Sequence, residues 1–394
     1  GNFASVDSLN ITSGELIGSI ERVEGMPAIL SAAGGLVIVD SGTDINSSDF
    51  SSGNLAGTTQ LIMTGGSLER SIADLNGLPA LSVAFGDVAI SDTGENIAAA
   101  DFGLANLPEV SAVTMTGGAY SGALAHLLAL PEFTVNGGTV GLIDSGENLS
   151  NLNFAQGNLA DVTEVTVNSG VLQGSIEAVN DVPGLSLAGA GSVSLQDTAG
   201  NVDAAGFDDG NIALALSLSI IGGTLERSVV DLQALPVVSA DGGVVAIRDS
   251  ASNLQDLNYS LPSIDAATEV EVTGGTLTGS VATINAIPGL SLSGSAQVSV
   301  QDSGANIDAA EFGSDNIALA NGVVVTSGTL INTVADLLSL PTVTTNGGAV
   351  ELADAAGNIA GLDYTALSLN AVTAVEQTAG DLTDSIAAIN DIPG

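Results

Sequence analysis

The sequence has no cysteine, no lysine and a single histidine, and only eight Phe and three Tyr among its 394 residues. Without cysteine, neither disulfides nor thiolate metal sites can hold the chain together. The lone His126 cannot assemble a catalytic triad or a zinc site without partners. It stands where other copies of the same segment carry Asp74, Asp231 or Asp336, so it reads as a variant of a helix start. Four basic residues, all Arg (Arg22, Arg70, Arg227 and Arg248), face 45 Asp and Glu, and 4 − 45 gives a net charge of −41. Such a surface cannot neutralise phosphates, which excludes backbone-driven nucleic-acid binding and disfavours anionic membranes. It also leaves a polysaccharide lyase without the cationic groups its chemistry needs. No apolar run approaches the ~20 residues of a membrane span, and no basic segment precedes an apolar one at the start. The chain beginning at Gly1 reads as a processed protein or an excerpt of a longer one.

What the chain does have is a repeat. The pattern Val-Ser-Val-Gln-Asp-Ser-Gly-Ala-Asn-Ile, from Val298 to Ile307, returns seven times, with its Asp at Asp40, Asp92, Asp144, Asp197, Asp249, Asp302 and Asp354. Four residues after each Asp stands Asp44, Asn96, Asn148, Asn201, Asn253, Asn306 or Asn358. Ten residues after it stands an aromatic: Phe50, Phe102, Phe154, Phe207, Tyr259, Phe312 or Tyr364. A fixed period of 52 or 53 residues means that each unit is a layer burying its face against its neighbours. A Gly follows the aromatic by 16 residues (Gly66 to Gly380) and a Pro follows the Gly by 13 (Pro79 to Pro393). The Pro-to-Asp distance is 13 or 14, so the variable residue belongs to a surface connection.

The expected fold is a β-rich repeat solenoid, a parallel strand stack with short helices and two strand-turn-helix half-coils per repeat. It would run as one continuous solenoid over residues 1–394, with partial repeats at both ends, one just before Phe3 and one over Asp384 to Gly394. β-Branched runs such as Val37 to Val39, Val244 to Ile247 and Val323 to Val325 end in turn formers. Ser71-x-x-Asp74, Ser228-x-x-Asp231 and Thr333-x-x-Asp336 open helices as capping boxes, and the Pro closes them. The apolar frame Leu277, Val281, Ile284, Ile287 fits the helical period. If each half-coil adds one strand at about 4.8 Å, seven units span roughly 70 Å.

The recurring Asp invites a calcium reading. Asp40 with Asp44, Asp92 with Glu95, and Asp144 with Glu147 bunch oxygen atoms as calcium loops do. Calcium takes about six to eight oxygens, usually with several carboxylates from one loop. The second carboxylate here wanders, and layers about 10 Å apart cannot share an ion. In the competing reading the Asp caps the following turn and the Asn column satisfies backbone groups. The aromatic column is either core filler or a stripe for stacking sugars. Arg70 and Arg227, both in Leu-Glu-Arg-Ser, are expected in local ion pairs of little worth. No acidic pair stands apart as a glycosidase would need, and no cofactor is required.

The string Val-x-Asp-Ser/Thr-x-x-Asn-Ile, with the later Gly-Gly-x-Leu, resembles imperfect repeats of very large secreted bacterial surface proteins, both adhesin-like and fibril-forming. The resemblance covers Leu36 to Gly394. It implies residence outside the cell or at its surface and a structural role. The chain lacks the Gly-Gly-x-Gly-x-Asp nonapeptides of calcium-bound parallel rolls. The expectation is therefore a non-enzymatic structural protein that pairs with itself head to tail or laterally, as a fibre, sheath or surface-layer subunit or a stalk. An adhesin or calcium-associated module with a glycan or surface ligand is the alternative.

Overall fold

The computed structural model describes residues 5–30 and 34–394, so Phe3 lies outside the described residues. The chain divides into two compact units, Gly1–Ser194 with Asp209–Leu214, and Leu195–Asp208 with Ala215–Gly394.

In the second unit each repeat makes two coils. Strands Thr276–Gly279, Gln297–Ser303, Ala320–Ser327 and Thr342–Thr345 lie side by side, all parallel. Leu277 pairs with Val298, Val300 with Val323, and Val323 with Val343. Each strand therefore pairs with the one a single coil later. After Gly328 the chain leaves this sheet and enters the next at Thr329–Asn332, which is followed by Ala349–Ala355 and Ala374–Ala379. The sheet before it has the same build, Thr224–Arg227, Val244–Asp249, Ala267–Val272 and Leu290–Leu292. The fold is thus a β-rich repeat solenoid in which the sheet steps sideways by one corner per repeat.

The corner depends on glycine. Gly66, Gly118, Gly170, Gly223, Gly275, Gly328 and Gly380 all have φ between 65° and 81°, a left-handed backbone that costs glycine nothing and an L side chain about 1–2 kcal/mol. In the first unit the strands Thr58–Arg70 and Ala80–Thr93 run through the corner without a break and join two sheets into one of six strands. A four-stranded parallel sheet of Ala119–Gly122, Thr139–Ser145, Glu164–Ser169 and Leu185–Leu187 follows.

The expected helix over Leu277 to Ile287 begins later than its period suggests. Leu277 belongs to a four-residue strand, and the helix runs over Val281–Asn285 behind the N-cap Ser280. Leu277, Ile284 and Ile287 all point into the coil, at 2%, 0% and 4% exposure, so a strand followed by a helix imitates the spacing of one longer helix. The capping boxes form as expected: Ser71, Ser228 and Thr333 accept from the N–H of Asp74, Asp231 and Asp336 and donate to their carboxylates at 2.7–2.8 Å. Inside, Ile307, Val323, Val325, Leu330, Leu337, Val350 and Leu352 form one buried cluster, with Phe312 and Tyr364 packed at its margin. Burying each such aliphatic side chain contributes about 1.5–3 kcal/mol. All seven aromatics of the column are half-buried: they close the core without being enclosed by it.

Candidate functional site

The most regular polar feature is the Asp column, and it is a clamp between coils. One carboxylate oxygen, Oδ2, accepts from a helix-starting N–H one coil earlier: Ile20 for Asp40, Ile72 for Asp92, Leu124 for Asp144, Val229 for Asp249, Val281 for Asp302 and Val334 for Asp354, at 2.9–3.1 Å. The other oxygen, Oδ1, accepts from the next residue's N–H in all seven repeats, at 2.7–2.8 Å. In six repeats Oδ1 also accepts from the Asn side chain four residues on, at 2.6–2.8 Å. In the six repeats whose Oδ2 reaches back, the Asp therefore satisfies the open N-terminal N–H of one helix and ties down the start of the next. At Asp354 the Asn358 amide and the Val334 and Ala355 N–H groups hold the carboxyl below its ordinary value. At Asp144 partial burial pushes the carboxyl up, but the Asn148 amide and the Ser145 and Leu124 N–H groups outweigh it and the net shift is down.

The three companion carboxylates are engaged elsewhere. Asp44 cannot donate as Asn does at this position; its Oδ2 accepts from Ser41 at 2.6 Å. Glu95 reaches forward one coil and accepts from the Ala119 N–H at 2.9 Å, and Glu147 does the same with Val171 at 3.2 Å. The Ala119 N–H holds the Glu95 carboxyl below its usual value, and Glu147 is lowered by its own N–H and by that of Val171. Among the described residues no group of three or more His, Asp or Glu side chains gathers as a metal cage would.

A second asparagine column escaped the sequence reading. Asn54, Asn106, Asn158, Asn211 and Asn316 follow the Asp by 14 residues. Each donates its side-chain N–H to helix-end carbonyls of the preceding coil, such as Leu75 and Leu78 for Asn106 and Ile284 and Ile287 for Asn316. Asn54 and Asn106 also accept from the Ile29 and Leu81 N–H groups at 2.9 Å. The signal was the spacing itself. Asp clamps helix starts and this Asn clamps helix ends.

Three of the four arginines also tie coil to coil. Arg70 donates to the carbonyls of Ile45, Asn46 and Ser48 at 2.9–3.2 Å, so its partners are backbone groups where an ion pair was expected. Arg227 pairs with Asp203 at 3.0 Å, and Arg248 lies between Glu226 and Glu271 at 3.1 and 3.3 Å. His126 occupies the helix start Leu124–Ala129, but as a bridge. The Ala100 carbonyl, 3.0 Å from Nε2, can only accept, so Nε2 donates, and in the neutral ring Nδ1 accepts from the Tyr120 hydroxyl at 2.9 Å. Burial pushes that hydroxyl up to about 12, so it stays a donor.

Beside the aromatic column the surface opens into grooves between an aromatic and the short helix of the following coil. The Phe102 groove, about 360 Å³, is lined by Asp101, His126 and Leu130. The Phe154 groove, about 540 Å³, is lined by Asn153, Ser175, Glu177, Asp181 and Pro183. The Phe312 groove, about 490 Å³, is lined by Asn321, Leu338, Pro341 and Leu367.

No protein-family model matches the chain, and no curated protein matches it. Among solved structures it is similar to the leucine-rich-repeat ectodomain of the plant membrane receptor kinase GASSHO1/SCHENGEN3 from Arabidopsis thaliana, at 11% identity and a TM-score of 0.14, over 92% of this chain and 46% of that one. It is also similar to the Arabidopsis receptor kinase HAESA, at 10% identity and a TM-score of 0.17, over 87% of this chain and 69% of that one. The chain spans about half the length of the first of these.

Proposed function

We propose that the chain is an extracellular or cell-surface structural protein, a repeat module serving as the subunit of a self-assembling fibre, sheath or surface layer, or as a stalk. The observation that supports this reading is where the recurring polar side chains are spent. In six repeats the Asp binds an N–H of the preceding coil, and five Asn of the second column bind carbonyls of the preceding coil. The polar residues that a repeat enzyme would set aside in one unit are here used in every unit to hold coil to coil.

The net charge of −41 makes assembly depend on screening, because like-charged copies repel until salt or divalent ions intervene. Negative-stain microscopy of the purified chain, with calcium and then with chelator, tests the proposal. Filaments or sheets support it, and their loss on chelation assigns the exposed carboxylates to bridging ions. Dispersed particles in both conditions remove the self-assembling forms and leave the stalk. Turnover of any polysaccharide that is lost in His126→Ala or Glu147→Gln would overturn it.

A further inference from the structure

One helix breaks the pattern of its copies. On the short helix Ile176–Asn180, Glu177 is the second residue and Asp181 is the C-cap. The equivalent pairs in the other repeats are Glu21 with Gly25, Ala73 with Gly77, Ala125 with Ala129, Val230 with Ala234, Ala282 with Ala286, Ala335 with Ser339 and Ala387 with Asp391. Only here are both positions acidic. The arrangement works against the helix on two counts: like charges four residues apart repel, and a carboxylate at a helix C-terminus opposes the helix dipole. Among the described residues neither carboxylate has a hydrogen-bonding or ionic partner, and both are exposed.

The two acids lie on the rim of the Phe154 groove, the roomiest of the three beside the aromatic column, at about 540 Å³. Half-buried Phe154 lines the groove, with Pro183 on the same lining. An aromatic ring beside two unpaired carboxylates is the chemistry that receives an organic cation: the ring attracts the charge and the apolar stem, and the carboxylates accept its hydrogen bonds. Three of the chain's four arginines, Arg70, Arg227 and Arg248, are committed to internal partners, and lysine is absent.

We propose that the Phe154 groove is a docking site for a guanidinium or alkylammonium side chain of a basic polypeptide partner. Charge complementarity names the partner: a chain of net charge −41 attracts basic segments over a distance, and this groove supplies the specific seat. The site does not depend on the assembly reading and survives its failure.

The test is titration of the full chain with a penta-arginine peptide, followed by calorimetry at two salt concentrations. Glu177→Gln with Asp181→Asn should weaken binding about tenfold, while Glu69→Gln with Asp87→Asn, which removes the same charge from exposed strand positions in earlier repeats, should leave it nearly unchanged. Both double variants keep side-chain shape, and a melting temperature at or above the parent's confirms folding, since removing the Glu177/Asp181 repulsion favours the helix. Phe154→Leu should weaken binding severalfold with the fold retained. Equal losses in the two double variants would show only a diffuse field and overturn the site. No binding of the peptide at low salt would overturn it as well. So would tighter binding of a glucosamine oligomer with the same dependence on Phe154, which would make the partner a sugar.

Discussion

The repeats around Asp92 and Asp144 and those around Asp302 and Asp354 share one clamp and differ in what is added to it. In all four the Asp accepts from a helix-starting N–H one coil back, at 2.9–3.1 Å. In the first pair Glu95 and Glu147 add a forward tie onto the residue after the corner glycine; in the second pair the same positions hold Ala305 and Gly357. The first pair also carries His126, tied to Tyr120 and to Ala100, where the second has the capping box of Thr333 and Asp336. The comparison separates what the coil needs from what single coils have acquired. In a linear array each repeat has its own stability, so the extra ties raise local protection without altering the path of the chain.

The largest expected effect tests the shared part. Asp92→Ala removes the acceptor of the Ile72 N–H, the Thr93 N–H and the Asn96 amide. Leaving such groups unsatisfied costs about 1–3 kcal/mol. Hydrogen exchange should show faster exchange at Ile72 and Thr93, and Asp302→Ala should do the same at Val281 and Ser303. A large effect in only one region would mean that the clamp is not common.

A smaller effect sharpens the difference. Gly118 and Gly328 have φ of 74° and 66°, but a Cβ on Gly118 would collide with the Glu95 carboxylate, whereas one on Gly328 meets nothing within 4 Å. Gly328→Ala should cost about 1–2 kcal/mol of left-handed strain, and Gly118→Ala should cost that strain plus the Glu95–Ala119 hydrogen bond, because the exposed Glu95 side chain must swing aside. Glu95→Ala alone should cost only the tie, and Glu95→Ala combined with Gly118→Ala should cost no more than Gly118→Ala alone, as urea melts of the three variants would show.

Acid separates the regions again. The Glu95 carboxyl is lowered, chiefly by the Ala119 N–H, from an ordinary value of 4.5. A lowered acid contributes stability that is complete above its unfolded value and is lost as pH falls through the folded one. As pH falls below 4.5 the Ala119 amide should lose protection that the Thr329 amide, with Ala305 in place of the glutamate, does not lose through this route. The smallest effect lies in the aromatic column, where Tyr259 and Tyr364 carry buried hydroxyls with no partner among the described residues and the other five positions hold Phe. Tyr259→Phe should be neutral or stabilising by up to about 1 kcal/mol in thermal melts.

The repeat, the corner glycines and the capping boxes were legible in the sequence because each follows from local chemistry recurring at a fixed spacing. The capping reading of the Asp column was legible in part. Its forward half, from Asp302 to the Ser303 N–H and Asn306, is local, while the Val281 N–H depends on which residue the coil brings alongside. The partners of Arg70 are hidden for the same reason, since nothing in Leu-Glu-Arg-Ser announces three carbonyls more than 20 residues upstream. Leu277 fits a helical spacing because its strand of four residues is too short to show alternation. The Phe154 groove was hidden because the acids on its rim stand out only when the copies are compared position by position.

The clamp also bears on heredity. In six of the seven repeats the Asp reaches back a single coil, to a residue 20 or 21 positions earlier, and the one-residue variation between repeats falls between the Pro and the Asp. A whole repeat deleted or copied would leave every remaining Asp with an equivalent partner. Copy number is therefore free to drift by unequal recombination, and selection can set the length of the array without redesigning any part of it.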